Sequence, residues 1–340
     1  MISRSHVRPS FWRDERVLAA ALQILFVILV VVLAWATSQA LASSFRAHNI
    51  RLDWSFWRQT AGFELSALTW TIDLERLSFK RYDPGDSAGE AMLAGLFNTM
   101  RVAVLGIVLA MILGVLVGVA RLSGNWLVNR LALGYVEILR NTPLLVQLFF
   151  WYFAVLLQLP NGSPEQPPIR LFGDAVVLTN SGLAFGGTVV ERFGRLVVDG
   201  GFQLTPEFAA LVLGLAVYTS SFIAEIIRGG ILTVSRGQME AARSLGLSYR
   251  QGLRYVVLPQ ALRIVIPPLG NQFLNLTKNS SLALGIGFAE FLTAANTVSS
   301  QSFRSLEAFT VVTVGYLILS LTISGTLNLL RARLRLPGHL

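Results

Sequence analysis

The chain has no cysteine, which excludes disulfides, thiolate nucleophiles, thiolate zinc sites and iron–sulfur clusters. Histidine is almost as scarce: His6, His48 and His339 lie far apart, near the chain ends or in a loop, and this argues against a histidine metal cluster. Lysine occurs only at Lys80 and Lys278, and no Gly-Lys dipeptide exists, so the chain has no phosphate-binding P-loop. Charged residues make up only 14% of the chain. Soluble domains carry about 25%. Enzymatic chemistry therefore starts with few tools.

What is present is apolar. Of 340 residues, 53% are hydrophobic, and the mean hydropathy of +0.59 places the chain in a membrane. The formal charge of +9 does not point to nucleic acid, because the basic residues lie between apolar runs and not in stripes interleaved with stacking aromatics. Val17 to Ala36 is an apolar run with Gln23 as its only strongly polar residue. At 1.5 Å per residue it covers roughly 30 Å of hydrocarbon. A cleaved signal peptide is the competing reading, since Ala40-Leu41-Ala42 resembles a cleavage site, but this apolar core exceeds the usual roughly 7–15 residues. Five further spans follow at about Leu93–Val119, Leu131–Leu157, Phe208–Ile227, Ile264–Leu282 and Phe309–Leu330. The expected fold is thus an all-α polytopic membrane protein with six transmembrane helices, five forming a core and one preceding it.

Six crossings put both termini on one side, and charge chooses the side. Segments 1–16, 120–130, 228–263 and 331–340 hold fifteen basic and three acidic residues, whereas 38–92, 160–206 and 283–308 hold ten and thirteen. The first set is expected to be cytoplasmic. The two long outer segments, 38–92 and 160–206, are read as interfacial aromatics plus loops, with a separate folded lobe as the alternative. The organisation is then a cytoplasmic N-terminus at 1–16, an extra helix at 17–37, a periplasmic segment at 38–92, a core at 93–335 with a periplasmic insertion at 160–206, and a tail at 336–340.

The loop between the fourth and fifth spans, 235–259, is too regular for a passive linker. Ser235 with Gln238, and Ser248 with Gln251, have capping-box spacing, and Gly246 falls where a helix ends in a left-handed residue. Two short helices with a sharp bend are expected, the second ending or kinking at Pro259. Such a bent, capped pair offers a rigid knob for a partner. A helix lying on the headgroups would suit the six arginines of 228–263 equally well.

A family resemblance separates these readings. Glu240-Ala241-Ala242, three residues, Gly246, nine residues, Val256, one residue and Leu258-Pro259 resembles the EAA loop of binding-protein-dependent ABC importer permeases, departing only at Val256, where isoleucine is commoner. Glu137-Ile-Leu-Arg140-Asn141-Thr142-Pro143-Leu-Leu-Val-Gln147, the run from Tyr218 through Glu225 to Gly230, and Lys278-Asn279-Ser280-Ser281-Leu282 resemble the polar amino acid subfamily. The extra first span resembles its general L-amino-acid branch. The resemblance covers about 93–335.

It implies that Glu240, Ala241, Ala242, Gly246, Leu258 and Pro259 couple this chain to an ATPase, and that the chain moves polar L-amino acids across the bacterial inner membrane by alternating access. The implied partners are two ATP-binding subunits, a second homologous permease chain and a periplasmic amino-acid-binding protein. Besides these, the chain would meet membrane lipid and no nucleic acid. No cofactor is expected on this chain, because ATP and magnesium would be used by the partner. The rivals are an ion-coupled transporter or channel acting alone, and a membrane enzyme, for which no catalytic constellation is visible.

Polar residues within the spans are the candidates for the solute path. Lys278 follows Asn271, Gln272 and Asn275, and an ammonium at mid-bilayer costs about 2.5–3.5 kcal/mol, so it should face water or a partner, or else snorkel to the interface. Glu137 and Arg140 stand three apart and can neutralise one another. Pro143 beyond them should kink the span beside a cavity. With Asn141, Ser221, Glu225 and Ser280, these residues could supply donors for an amino acid's carboxylate and acceptors for its ammonium. Gly114 and Gly118 match the spacing of close helix contacts, although glycine is common in such spans.

Overall fold

A computed structural model of the chain describes residues 15–47, 52–65, 69–173, 175–192 and 195–333. Of the expected cytoplasmic stretch 1–16, residues 1–14 lie outside the described residues, as does the tail 336–340. The chain divides into two units, one up to Asp53 and one from Trp54 onward.

The first unit is helix α1, Glu15–Ala47. It is apolar all round and long enough to cross a bilayer, and it runs about three turns beyond the stretch marked by hydropathy alone.

The second unit is built on α2, Ala88–Ala120, and α5, Pro206–Thr233. Helix α2 opens with a full capping box: Ser87 Oγ accepts from the Glu90 amide, and the Glu90 carboxylate accepts from the Ser87 amide at 2.9 Å. Its buried face reads Ala103, Gly106, Ala110, Gly114, Gly118. This stripe of small residues lets the backbone of α5 approach: a Cβ on Gly114 would lie 2.6 Å from Ile223 Cβ, and one on Gly118 would lie 2.9 Å from the Ala224 carbonyl oxygen. The Gly114–Gly118 pair is therefore a packing face, and residue numbers rise together along it, so α2 and α5 run parallel.

Between them, α3, Trp126–Asn141, turns by 107° into α4, Leu144–Phe149, and a π-helical stretch, Phe150–Leu156. The predicted third span is thus sharply broken at Thr142-Pro143. After α5 come α6, Arg236–Ser244, and α7, Tyr249–Gly252. A π-helical stretch, Leu253–Val257, then leads without a gap into α8, Leu258–Asn279, and a 3-10 helix, Ser280–Ile286. Gly287, at φ +75°, ends that rod before α9, Phe291–Ser302, and α10, Ser305–Arg333. Leu148, Leu211, Leu215, Ile223 and Leu276 are fully buried where α4, α5 and α8 meet. Among the described residues, four helices are long and apolar enough to cross a membrane, or up to six if each bent pair is one span.

The outer segments correct the all-α expectation: the described residues are mostly helical, with eight short strands among them. β1, Trp70–Asp73, pairs antiparallel with β2, Ser78–Arg81. Segment 160–206 holds a four-stranded antiparallel sheet ordered β3, Ile169–Leu171; β4, Val176–Thr179; β5, Gly182–Phe185; and β8, Phe202–Leu204. A separate hairpin forms from β6, Thr188–Arg192, and β7, Arg195–Asp199. The turn signals were present in Asn180-Ser181-Gly182 and Asp199-Gly200-Gly201, whose glycines take φ of +131°, +74° and +69°. Strands of three to five residues leave too little alternation to register against a hydropathy background.

Candidate functional site

The loop 235–259 folds as a bent pair of helices. Gly246 sits at φ +81°, and no atom lies within 4 Å of the point a Cβ would occupy, so its glycine serves backbone conformation and not space. Leu247 donates its amide to the Ala242 carbonyl at 3.1 Å and Gly246 to that of Arg243 at 2.9 Å, closing α6 in a left-handed turn. Ser248 and Gln251 make the expected reciprocal capping box. Ala242 is buried, and Gly252 admits Met239 Sδ to within 2.7 Å of where a Cβ would stand, so α7 folds tightly back on α6. Glu240, Ala241 and Leu245 are left on the exposed side.

Two local expectations fail here. Ser235 makes no side-chain cap, and Gln238 Oε1 instead accepts from Gln260 Nε2 at 3.3 Å, across to α8. Pro259 neither ends nor breaks the helix. Leu258 N donates to the Leu253 carbonyl five residues back, so the chain is already widened to π-helical bonding where proline removes a donor, and Pro259 falls in the first turn of α8.

The polar residues of the spans fall into two sets. Asn271, Asn275 and Lys278 are exposed at i, i+4 and i+7, on one face of α8, opposite the buried Ala261, Val265, Leu269 and Leu276. At the end of α3, Glu137, Arg140 and Asn141 are exposed too. They do not form the expected ion pair. Asn141 Nδ2 donates to Glu137 Oε2 at 3.2 Å, and the Arg140 guanidinium lies 5.1 Å from the ring centre of Phe222 on α5.

The remaining candidates are committed to their own fold. Glu225 is clamped between Arg121 at 3.1 Å and Arg228 at 2.9 Å. Ser221 donates to the Tyr218 carbonyl at 2.6 Å, and Ser280 to that of Thr277 at 2.7 Å; both are fully buried. The Arg121–Glu225 pair also ties the end of α2 to the last turns of α5, on the side of the molecule that carries α6 and α7. Arg121 was not visible as a site residue, since it sits in a loop 104 positions from its partner.

A second feature escaped the sequence reading. Gln147 is 6% exposed, and its Nε2 donates to the carbonyls of Leu139 at 2.8 Å and Thr142 at 3.0 Å. These are the acceptors that the break at Pro143 leaves without an intrahelical donor.

No cluster of three metal-ligating side chains is found among the described residues.

Residues 90–336 match the family described as binding-protein-dependent transport system inner membrane component. The chain is 37% identical to the putative amino-acid ABC transporter permease protein YhdX of Escherichia coli, covering 97% of this chain and 98% of that one. It is 34% identical to the general L-amino acid transport system permease protein AapQ of Rhizobium johnstonii, over 92% and 91%. Among solved structures, an amino acid ABC transporter crystallised with histidines is 30% identical, with a TM-score of 0.54, covering 72% of this chain and 94% of that one. The bent, glycine-hinged loop, the parallel small-residue packing of α2 on α5 and these likenesses agree: the chain is a multi-pass membrane protein that belongs to the binding-protein-dependent transport system inner membrane component family, the permease subunits of ABC transporters.

Proposed function

We propose that this chain is the permease subunit of an importer for polar L-amino acids, with six crossings and both termini in the cytoplasm. Two separate ATP-binding subunits supply hydrolysis, a second homologous permease chain completes the path, and a periplasmic binding protein delivers the solute. The chain itself binds no cofactor; ATP and magnesium belong to the partner. The permease core is 93–335, with α1 an added anchor and the β-rich segments facing the periplasm.

The observation that carries this reading is one continuous rod, Tyr249–Ile286, that joins the bent loop to the polar stripe. Glu240, Ala241 and Gly246 give the ATPase a knob to engage. Ala242 holds α6 against α7, and Leu258 and Pro259 join that pair to the rod. A face bearing Asn271, Asn275 and Lys278 is too costly to leave against lipid, so it turns toward water or a second chain. Movement of the loop then re-aims the stripe between the two sides of the membrane. Arg140, Glu137 and Asn141 stand at the end of α3 as further contacts for the solute's charged groups, while Glu225, Ser221 and Ser280 hold the helices in place.

Reconstitution of the chain with its co-purifying subunits in liposomes should give uptake of labelled polar amino acids that needs ATP and the binding protein. Uptake by this chain without an ATPase would overturn the reading in favour of a carrier acting alone. Within the assembled transporter, Asn271→Ala and Lys278→Ala should lower uptake at normal expression; unchanged uptake in both would remove the stripe from the solute path.

A further inference from the structure

Below α2, at the level where its last turn ends at Ala120, the helices leave an open cavity of about 880 Å³. Its walls are Leu116 and Val119 of α2, Val128 of α3, Ile231 of α5 and Val257 of the π-helical stretch. No carboxylate lines it, and Arg250 and Arg254 stand among the lining residues. Both arginines are exposed, and neither has an ion-pair partner among the described residues. Arg254 lies against the Tyr255 ring, 5.7 Å from its centre. Along α2, Ile112, Leu116 and Val119 are exposed at i, i+4 and i+7, so an apolar track runs from the cavity up the outside of the helix.

We propose that this cavity is a binding site for an anionic phospholipid, with acyl chain along the α2 track and phosphate between Arg250 and Arg254. The charge pattern selects the occupant. An apolar interior with two unneutralised guanidiniums at its rim, at the end of a membrane-crossing helix, complements an amphiphile that is anionic where its tail meets its head. A zwitterionic lipid fits the walls equally well but gains less at the rim, because its own ammonium competes for the phosphate. Segment 228–263 carries a single acid, Glu240, so little nearby charge offsets the attraction. Occupation would brace α2 against the π-helical stretch that joins loop to rod, making lipid composition a setting on the coupling. The inference takes the loop's side of the membrane from the proposed topology; the lipid preference is read independently of transport.

The test is native mass spectrometry of the full chain, purified with its co-purifying subunits and equilibrated with equimolar phosphatidylglycerol and phosphatidylcholine. Phosphatidylglycerol should be retained about tenfold over phosphatidylcholine, and Arg250→Gln with Arg254→Gln should abolish that preference while phosphatidylcholine retention stays unchanged. The matched change on α6, Arg236→Gln with Arg243→Gln, should leave the preference intact. Equal retention of the two lipids, an unaltered preference in the Arg250 and Arg254 variant, or an equal loss in the α6 control would overturn the site. So would displacement of phosphatidylglycerol by millimolar inorganic phosphate, which would mark a free-anion site, or loss of lipid on attachment of the ATPase, which would assign the cavity to that interface.

Discussion

Gln147 Nε2 donates to the Leu139 carbonyl at 2.8 Å, the acceptor that residue 143 would serve in an unbroken helix if it were not proline. A side chain four residues further on thereby closes the 107° turn between α3 and α4 from inside.

Replacing Gln147 with leucine of similar volume should leave the Leu139 and Thr142 carbonyls without that donor. These bonds are part-buried, and each one unmade costs at most about 1–3 kcal/mol, so the purified transporter should unfold at a lower temperature. An unchanged midpoint would show that water serves these acceptors as well as the amide does.

Gly114→Val places methyl groups where Ile223 already lies, with a Cβ 2.6 Å from that residue's own. Overpacking of this kind costs about 1–3 kcal/mol and should separate α2 from α5, read as reduced yield of folded protein and increased proteolysis. Gly134, where a Cβ would meet nothing within 4 Å, is the matched control and should tolerate alanine.

Gly246→Val should act through conformation alone, because no neighbour crowds the position. A left-handed β-branched residue costs about 1–2 kcal/mol, enough to shift the loop away from its bend. ATPase co-purification and ATP-driven uptake should both fall, and Gly246→Asn should be milder, since asparagine tolerates this conformation. Normal attachment in the valine variant would deny the bend a part in coupling.

The β1–β2 hairpin should be insensitive to pH across the neutral range. Its Lys80 ammonium is hydrogen-bonded to Asp86 at 2.8 Å, which raises its pKa above the ordinary 10.5 despite partial burial, so this contribution is lost only as pH rises beyond that value. Asp73 accepts the Arg76 amide, which holds its carboxyl below the ordinary 3.8; its contribution is lost only as pH falls through that lowered value. Amide exchange of 70–81, corrected for intrinsic rates, should be flat between about pH 5 and 9 and accelerate in stronger acid. Acceleration near neutrality would mean that another group controls the hairpin.

What could be read in advance tracked how local the cause was. Gly246 and the Ser248–Gln251 box announce themselves within four residues, and Pro143 removes its own donor, so bend, cap and break were all legible. Ser235 and Gln238 have the same spacing as Ser248 and Gln251, yet Gln260, 22 positions on, takes the glutamine instead. Neither the Arg121–Glu225 bridge nor the repair by Gln147 leaves a short-range trace, because each depends on where a distant backbone arrives. Glu137 and Arg140 show the limit of spacing arguments: they are close enough to pair, but an aromatic ring on α5 draws the guanidinium away.

The stretch from Tyr249 to Ile286 contains no interruption, despite the π-helical widening near its start and the Pro267-Pro268 pair. It therefore fixes phase as well as length. One extra residue inserted after Pro259 would turn everything beyond it by about 100°, pointing Asn271 and Lys278 in a new direction while leaving the bent loop untouched. In such a shaft, orientation is inherited from the end that is pushed.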